Sequence, residues 1–377
     1  MSIGELMNFA FSEEQEELRK SVRRFMEEKS SVKTVRSLME SSTGYDPDTW
    51  KQLSEQLGLC SLAIPEKFGG AGYGALETTV VFEEMGRALF CGPFFSTVAV
   101  AANVILSSGD ESACEEYLPS IAAGETFATL ASVEASGSWD LEAIDTTATN
   151  EGGGWKITGE KRFVLDGHIA NLILVTAKTT NGVSLFAVSG TDDAVSSTLV
   201  ETLDQTRKMA TVTLNGASGR LIGDEGAAIE GIETGLDLAC VALVAEQVGG
   251  ASRCLEMAVD YAKVRIQFGR PIGSFQAIKH KCADLLLEVE SAKSAAYYSA
   301  WAASEMNEEF KVAAPLAKSF CSDAYFKAAA ENIQIHGGIG FTWEHDAHLY
   351  FKRAKASQLL FGDATFHRGR LASRIGL

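Results

Sequence analysis

Two stretches of the sequence decide the fold: Q-I-H-G-G-I-G-F-T at residues 334–342 and R-I-Q-F-G-R-P-I-G-S-F-Q at residues 265–276. An arginine offers a forked pair of donors that suits a pyrophosphate. Adjacent glycines let the backbone approach a ligand closely, because no Cβ stands in the way. Taken alone, Gly337 and Gly338 also fit the end of a helix followed by a turn. Both stretches together, about seventy residues apart, favour the ligand-binding interpretation.

The composition is that of a globular chain with an acidic surface. The 377 residues allow two or three domains and a large core, and 46% of them are hydrophobic. There are 33 basic and 50 acidic residues, which gives a formal charge of −17. Such a surface repels phosphate backbones, so we expect no nucleic-acid partner. A site for an anionic ligand must concentrate its few cations locally.

The cysteines and the apolar segments indicate a cytoplasmic protein. The seven cysteines are scattered without a zinc-like spacing, which predicts buried, reduced thiols. Residues 1–20 are amphipathic and acidic, unlike a signal peptide. We expect no apolar run as long as a membrane span. His345 and His348 have no further ligands nearby in the sequence, so we expect no metal site.

The pattern of residues changes twice along the chain. Residues 5–125 have helical periodicity, with Ser12 as an N-cap. The glycine cluster at 64–74 reads as a loop, because no βαβ unit surrounds it. Residues 127–222 are predicted to form a small β-barrel or sandwich. From residue 229 onward the sequence again favours long helices. The predicted strands lie at 155–158, 172–176, 183–188 and 211–214, and the predicted long helices at 239–263, 278–306 and 313–334.

This order of segments, with the two stretches quoted first, resembles the acyl-CoA dehydrogenase family of FAD flavoproteins over essentially the whole chain. The resemblance implies an N-terminal α-helical domain at 1–126, a middle β-barrel domain at 127–225 and a C-terminal four-helix bundle at 226–377. The 265–276 and 360–368 segments look like actinobacterial members. Many of those act on steroid side chains or other bulky acyl-CoAs.

The resemblance implies that the C-terminal helices of one subunit hold the ADP end of FAD for a neighbouring subunit. Residues 265–268 match the family's Arg-x-x-Phe segment, and Gln276 matches the glutamine that opens the next helix. Residues 334–338 match the adenine and pyrophosphate loop. The predicted cofactor-binding residues are Arg265, Gln267, Phe268, Gln276, Gln334, Ile335, Gly337 and Gly338.

The half of the site that faces the flavin ring departs from the family pattern. Val133 replaces the expected hydroxyl residue, and Trp139 fills a small-residue position. Phe163 stands for the tryptophan that flanks the ring. Leu165 stands for a threonine that hydrogen-bonds the flavin, and its side chain neither donates nor accepts. These changes suggest that the β-domain of this chain does not hold the ring.

The catalytic base is also missing from its two usual places, which correspond to Phe361 and Ala239. Glu246 is the first substitute, since it shares the helix face of Ala239. Its apolar neighbours predict a raised pKa, and an interhelical ion pair is the alternative. Asp363 is the second substitute, and a helix cap is the alternative there.

The resemblance implies FAD-dependent α,β-dehydrogenation of an acyl-CoA thioester by one subunit of a tetramer. The partner is then a homologous chain in an α2β2 assembly, or a second copy in a homotetramer that uses Glu246. A non-catalytic partner subunit that supplies only the ADP-binding half is the alternative. Electron-transfer flavoprotein is the electron acceptor that the family implies.

Overall fold

The N-terminal part of the computed structural model, which describes residues 11–377, is helical. The expectation of helix at residues 5–10 and the N-terminal half of the 1–20 segment lie outside the described residues. As predicted, Ser12 caps the first helix, and its side chain and that of Gln15 each bond the other's backbone N–H. The helices are α1 Glu13–Lys29, α2 Val32–Glu40, α3 Pro47–Lys51, α4 Ala75–Arg87, α5 Asn103–Ser107 and α6 Glu111–Ala122, with π-helical turns at Gln52–Gln56 and Phe95–Ala102.

Seven strands form the middle β-domain. They are β1 Ala128–Ala131, β2 Thr147–Glu151, β3 Gly154–Leu165, β4 Leu172–Thr179, β5 Gly182–Ser189, β6 Val195–Leu199 and β7 Met209–Ile222. Pairing runs from β4 through β2, β3, β7 and β5 and returns to β4, so the sheet closes on itself. The predicted barrel is therefore confirmed. Ile157, Phe186 and Val212 are buried in its interior.

Long helices build the C-terminal part. They are α7 Ile229–Val264, α8 Gln276–Glu305, α9 Phe310–His336, α10 Ala347–Leu359 and α11 Ala364–Arg374, and a hairpin of β8 Ile266–Gln267 and β9 Arg270–Pro271 joins α7 to α8. Alanines at positions such as 292, 296, 317 and 324 are buried between α8 and α9. Small side chains of this kind let the helices pack closely. The three predicted helices are confirmed, although α7 begins ten residues earlier than its predicted start at 239.

The N-terminal helices and the bundle touch through backbone at two glycines. A Cβ on Gly86 of α4 would lie 2.0 Å from the carbonyl oxygen of Glu246 in α7. A Cβ on Gly249 of α7 would lie 1.8 Å from the carbonyl oxygen of Glu83 in α4. Real Cβ atoms do not come this close, so only glycine permits the crossing. The crossing places Glu246 at the contact between the two helical domains.

Helix α7 is long and apolar enough, by length and composition, to cross a membrane. It is the one such helix among residues 11–377, and 78% of its most apolar window is buried within the protein. The expectation that no apolar run reaches this length is therefore wrong for α7. Its apolar side chains pack against the neighbouring helices and are not exposed on the surface. The thiol prediction fares better, since all seven cysteines are free, with six buried and Cys282 partly exposed.

Candidate cofactor and substrate site

The stretches at residues 265–276 and 334–342 lie side by side at one end of the bundle. Ile335, near the end of α9, packs against Ala258 and Ala262 of α7. The ring of Tyr261 stacks on that of His336 with 4.3 Å between centroids. The C-terminal ends of α7 and α9 and the start of α8 therefore form one surface. We call this surface the clamp, defined by Arg265, Gln267, Phe268, Gln276, Gln334, Ile335, Gly337 and Gly338.

The hairpin of the clamp is a tight turn that exposes an aromatic side chain. Gln267 pairs with Arg270, and the two residues between them have positive φ, 52° at Phe268 and 78° at Gly269. This is the pattern of a type I′ turn, in which phenylalanine is an unfavourable choice. Phe268 is 91% exposed. A strained, exposed aromatic residue is expected where a partner or ligand covers it.

The rest of the clamp is open to a ligand. Gly337, with φ of 64°, ends α9, and no atom lies within 4 Å of the Cβ positions of Gly337 or Gly338. Arg265 directly follows α7, and Gln276 opens α8 as predicted. Helix α9 extends to His336, so Gln334 and Ile335 lie in its last turn and not in a loop. These residues fit the ADP end of a dinucleotide, because glycine backbone and a charged guanidinium suit a pyrophosphate.

The region where the family resemblance places the flavin ring is narrow and mostly apolar, with Thr129, Ser132 and Arg162 as its polar lining residues. Val133 and Leu165 are buried, and with Phe163 and Phe361 they line a cavity of only about 20 Å³. That volume holds one water molecule. Neither the Val133 nor the Leu165 side chain can hydrogen-bond a ring. The residues present here do not fit an isoalloxazine.

Phe361 closes this region as part of an aromatic stack. Its ring lies 6.1 Å from that of Phe95 and 5.6 Å from that of Trp139, between centroids. The guanidinium carbon of Arg207 lies 4.7 Å from the centroid of Phe95. Phe361 has a left-handed φ of 60°, and Phe163 a φ of 55°. Two strained aromatic residues therefore border the pocket.

Glu246 is buried between two arginines. Arg207 Nη2 lies 2.6 and 2.5 Å from the two carboxylate oxygens of Glu246. Arg353 Nη1 lies 2.7 Å from Oε1, and Arg353 Nε lies 2.9 Å from Asp204. The cluster joins the β-domain loop that carries Asp204 and Arg207 to α7 and α10. Both oxygens of Glu246 are therefore engaged, as in the ion-pair alternative.

The pKa of Glu246 differs from the sequence prediction. Burial alone would raise it, but the charges and hydrogen bonds of Arg207 and Arg353 outweigh burial and hold the pKa below its ordinary value. The prediction of a raised pKa is wrong, because the two arginines come from distant parts of the chain. A carboxylate with a lowered pKa is a weaker proton acceptor.

The remaining candidates have structural roles. Asp363 caps α11, and its side chain accepts from the backbone N–H of Phe366 at 2.8 Å. A ring nitrogen of His348 bonds the carbonyl oxygen of Trp343. Ala239 is fully buried. Residues 11–377 contain no group of three or more His, Cys, Asp or Glu side chains that could hold a metal ion.

A buried ion pair fixes the loop that carries Val133 and Trp139. Glu134 accepts from Lys161 Nζ at 2.7 Å and from the backbone N–H groups of Asp145 and Thr146. Burial opposes ionisation of Glu134, but the hydrogen bonds from Lys161 and Thr146 lower its pKa to about 2. Burial lowers the pKa of Lys161 to about 8. The loop is therefore tied firmly to the barrel, with Trp139 placed against Phe361.

Sequence reasoning missed the residues that surround Glu246 and Phe361. Arg353 sits in the run Lys352–Arg353–Ala354–Lys355, which reads as a solvated charged face, yet Arg353 is 2% exposed. Arg207 lies in a polar loop with no motif. Phe95 lies in an apolar segment that resembles ordinary core. A signal for Arg353 is its position about two turns before Phe361, on an otherwise apolar face.

Three family models match the chain: the acyl-CoA dehydrogenase N-terminal domain over residues 12–125, the middle domain over 129–216 and the C-terminal domain over 229–376. Acyl-CoA dehydrogenase IpdE2 of Mycolicibacterium smegmatis is 37% identical over 97% of this chain and 99% of its own length. IpdE2 of Mycobacterium tuberculosis is 35% identical over 96% and 98%.

Solved structures agree with this relationship. A chain of the ChsE4–ChsE5 complex from Mycobacterium tuberculosis has a TM-score of 0.88 at 27% identity, covering 98% of this chain and 99% of that one. A chain of the Tcur3481–Tcur3483 steroid acyl-CoA dehydrogenase variant has a TM-score of 0.87 at 30% identity, covering 96% and 98%. The expected fold is confirmed, and the chain belongs to the acyl-CoA dehydrogenase family of oxidoreductases, with relatives among its actinobacterial members.

Proposed function

We propose that this chain is one subunit of an FAD-dependent dehydrogenase that introduces an α,β double bond into an acyl-CoA thioester. Within the assembly it supplies the ADP-binding clamp, and a homologous chain supplies the flavin-ring pocket and the base. The observation that carries the proposal is the contrast between the two halves of the site. The clamp is exposed and open, whereas Phe361 and its neighbours fill the ring pocket.

The length of α7 supports the need for two chains. Ala239, at the family's alternative base position, and Arg265, at the clamp, are 26 residues apart along one helix and its cap. At 1.5 Å per residue this separation is about 39 Å. One extended dinucleotide does not reach that far. The clamp of this chain therefore serves a ring pocket on another chain.

The residues of this chain then bind and orient rather than move protons. Arg265 donates to the pyrophosphate, and the backbone at Gly337 and Gly338 lets it approach closely. FAD held in such an assembly would supply the hydride acceptor for the β-carbon of the thioester. Phe361 excludes water and substrate from the chain's own pocket. The proton acceptor for the α-carbon belongs to the partner.

The surface around the clamp supports association with a partner. Its exposed apolar side chains include Phe268 at 91% and Phe341 at 79% exposed. They form a rim of Val264, Ile266, Phe268, Ile339, Phe341 and Trp343. Exposed aromatic residues at this density are typical of protein interfaces. A homologous chain in an α2β2 tetramer fits this surface.

The similar proteins support a proposal for the substrate, and the family supports one for the electron acceptor. One similar structure is a steroid acyl-CoA dehydrogenase, and another is a complex of two different chains. We propose a bulky or steroid acyl-CoA as substrate on this basis, and a cytoplasmic location. The proposed acceptor is an electron-transfer flavoprotein, the partner expected for the family.

Expression alone and together with a homologous partner tests the proposal. We expect the chain alone to be colourless and inactive, and the co-expressed complex to absorb at flavin wavelengths and to elute as a tetramer. Arg265→Ala should remove a contact of about 1.5–3 kcal/mol and lower the FAD content of the complex. Arg24→Ala, an exposed arginine on α1, is the matched control. A yellow, active homotetramer from this chain alone would refute the assignment.

A further inference from the structure

We propose that Lys318 is a positioning residue, which holds the turn between α10 and α11 and thereby fixes Phe361 in the pocket. Lys318 lies two turns into α9 and is fully buried. Among residues 11–377, no carboxylate oxygen lies within 4.0 Å of its ammonium nitrogen, since no ion pair involves it. A buried charge without a counter-ion is costly unless other groups solvate it.

Backbone carbonyls replace the counter-ion. Lys318 Nζ lies 3.1 Å from the carbonyl oxygen of Ser357, 3.2 Å from that of Gln358 and 3.2 Å from that of Gly362. It also lies 2.9 Å from Ser322 Oγ. The first two carbonyls belong to the last turn of α10, where helices leave acceptors unpaired and carry partial negative charge. Lys318 therefore acts as an internal cap for α10.

Two further side chains hold the same turn. Gln247 Nε2 of α7 donates to the Ser357 carbonyl at 3.2 Å. His367 Nε2 of α11 lies 3.0 Å from the Phe361 carbonyl. The carbonyls of residues 357, 358, 361 and 362 are thus bound by side chains from three other helices. None of these bonds involves the side chain of Phe361.

The backbone of the turn therefore has a fixed form, whatever side chain residue 361 carries. Phe361 has a left-handed φ, which a phenylalanine adopts only when its surroundings impose it. The bonds from Lys318 and His367 impose it and direct the ring at Phe95 and Trp139. This inference rests on the proposed function in one respect, namely that the closed pocket is the state in which this chain works.

The groups around Lys318 allow its loss of charge to be followed by changing the pH. The titratable and charged groups that face it are Cys240, Cys321, Asp323, Asp363 and His367. Burial lowers the pKa of Lys318 to about 8, raises that of Cys240 to about 12 and lowers that of His367 to about 3. Burial also raises the pKa of Cys321. Among Lys318, Cys240, Cys321 and His367, only Lys318 then titrates between pH 6 and 10.

Hydrogen exchange of the peptide covering residues 357–366 tests the proposal. Lys318→Met should speed its exchange about tenfold, the effect of losing one net hydrogen bond. Lys327→Met, which removes a surface lysine from the same helix, should change it less than twofold. Equal exchange of this peptide in Lys318→Met and Lys327→Met would overturn the proposal.

The ¹⁹F chemical shift of a probe at position 361 gives a second test, because a lysine that does not position residue 361 would leave this shift unchanged. With 4-fluorophenylalanine at position 361, the ¹⁹F shift of the otherwise unaltered chain should change between pH 6 and 10, with a midpoint near the pKa of Lys318, about 8. The pKa of Lys161 is also about 8, so the change that belongs to Lys318 is the part that is lost in Lys318→Met, and an unchanged pH dependence in Lys318→Met would overturn the proposal. If Lys318→Met does not fold, a shift independent of pH in the chain that retains Lys318 overturns the proposal by itself. A failure of the proposed function can be distinguished from a failure of this inference, because the proposed function is tested by the flavin content of the complex.

Discussion

Phe361 and Phe95 stack with 6.1 Å between their ring centroids and 21° between their planes. Phe95 also lies under the guanidinium of Arg207, which is bonded to Glu246. The stack therefore connects the turn after α10 to the buried ion cluster at the contact between the helical domains. Phe361, the position at which the family resemblance predicts a base, is here part of the hydrophobic core.

Removal of the Phe361 ring should destabilise the chain. Phe361→Ala deletes a buried aromatic side chain packed on Phe95 and Trp139, and we expect a loss of about 3–5 kcal/mol in the free energy of unfolding. Urea denaturation measures it. Phe341→Ala is the control, because Phe341 is largely exposed and its loss should cost less than about 0.5 kcal/mol in an isolated chain. Equal effects of the two variants would show that Phe361 is not a core residue.

Glu246→Gln separates a structural from a catalytic carboxylate. The change leaves Arg207 and Arg353 without their shared anion, so we expect a loss of about 3–5 kcal/mol in stability. Turnover per folded complex, measured with an acyl-CoA and an artificial acceptor, should stay near wild type. Glu17→Gln, in an exposed pair with Lys20, should leave stability almost unchanged. A hundredfold fall in turnover with unchanged stability would instead make Glu246 the base.

Acid should release the loop that Glu134 holds. The pKa of Glu134 is about 2 in the folded chain against an ordinary value of 4.5. Between these values the unfolded chain binds the proton and the folded chain does not, so stability rises with pH through this window. The contribution is fully present above pH 4.5 and is lost as pH falls towards 2. Glu134→Gln should flatten this part of the pH–stability curve, measured by denaturation between pH 2 and 5.

The control for the acid experiment comes from the same loop. Glu142 is exposed, and Glu142→Gln should leave the slope of stability against pH unchanged in this window. An unaltered slope in Glu134→Gln would show that the Lys161–Glu134 pair does not set the acid sensitivity of the β-domain.

The crossing of α4 and α7 should not tolerate one added methyl group. Gly249→Ala places a Cβ 1.8 Å from the Glu83 carbonyl oxygen, so the helices must separate. We expect a loss of at least about 3 kcal/mol or failure to fold, in line with overpacking at a backbone contact. Gly369→Ala in α11 meets no atom within 4 Å and should be neutral or stabilise by about 0.5–1 kcal/mol. Thermal unfolding of both variants measures these changes, and a Gly249→Ala variant as stable as the unaltered chain would contradict the prediction.

The sequence predicts the order of helices and strands well, because hydrophobic periodicity and glycine positions are local properties. Ile335 of the clamp packs against Ala262 near the end of α7, because α7, α8 and α9 belong to one bundle, and binding of ADP by the clamp stays a prediction. The environment of Glu246 could not be predicted. Its partners Arg207 and Arg353 are 39 residues before it and 107 residues after it, and neither lies in a pattern that marks a buried charge. Lys318 is hidden in the same way, inside an ordinary alanine-rich helix.

The filled pocket has a consequence for how the protein acquires its cofactor. Enzymes with an open ligand cavity commonly gain stability when the ligand binds. Here Val133, Leu165 and Phe361 already pack the space, so folding of this chain does not wait for flavin. Apolar side chains in place of polar ligand contacts also favour the folded state directly. We therefore expect the chain to mature colourless, with FAD joining it at the step when subunits meet.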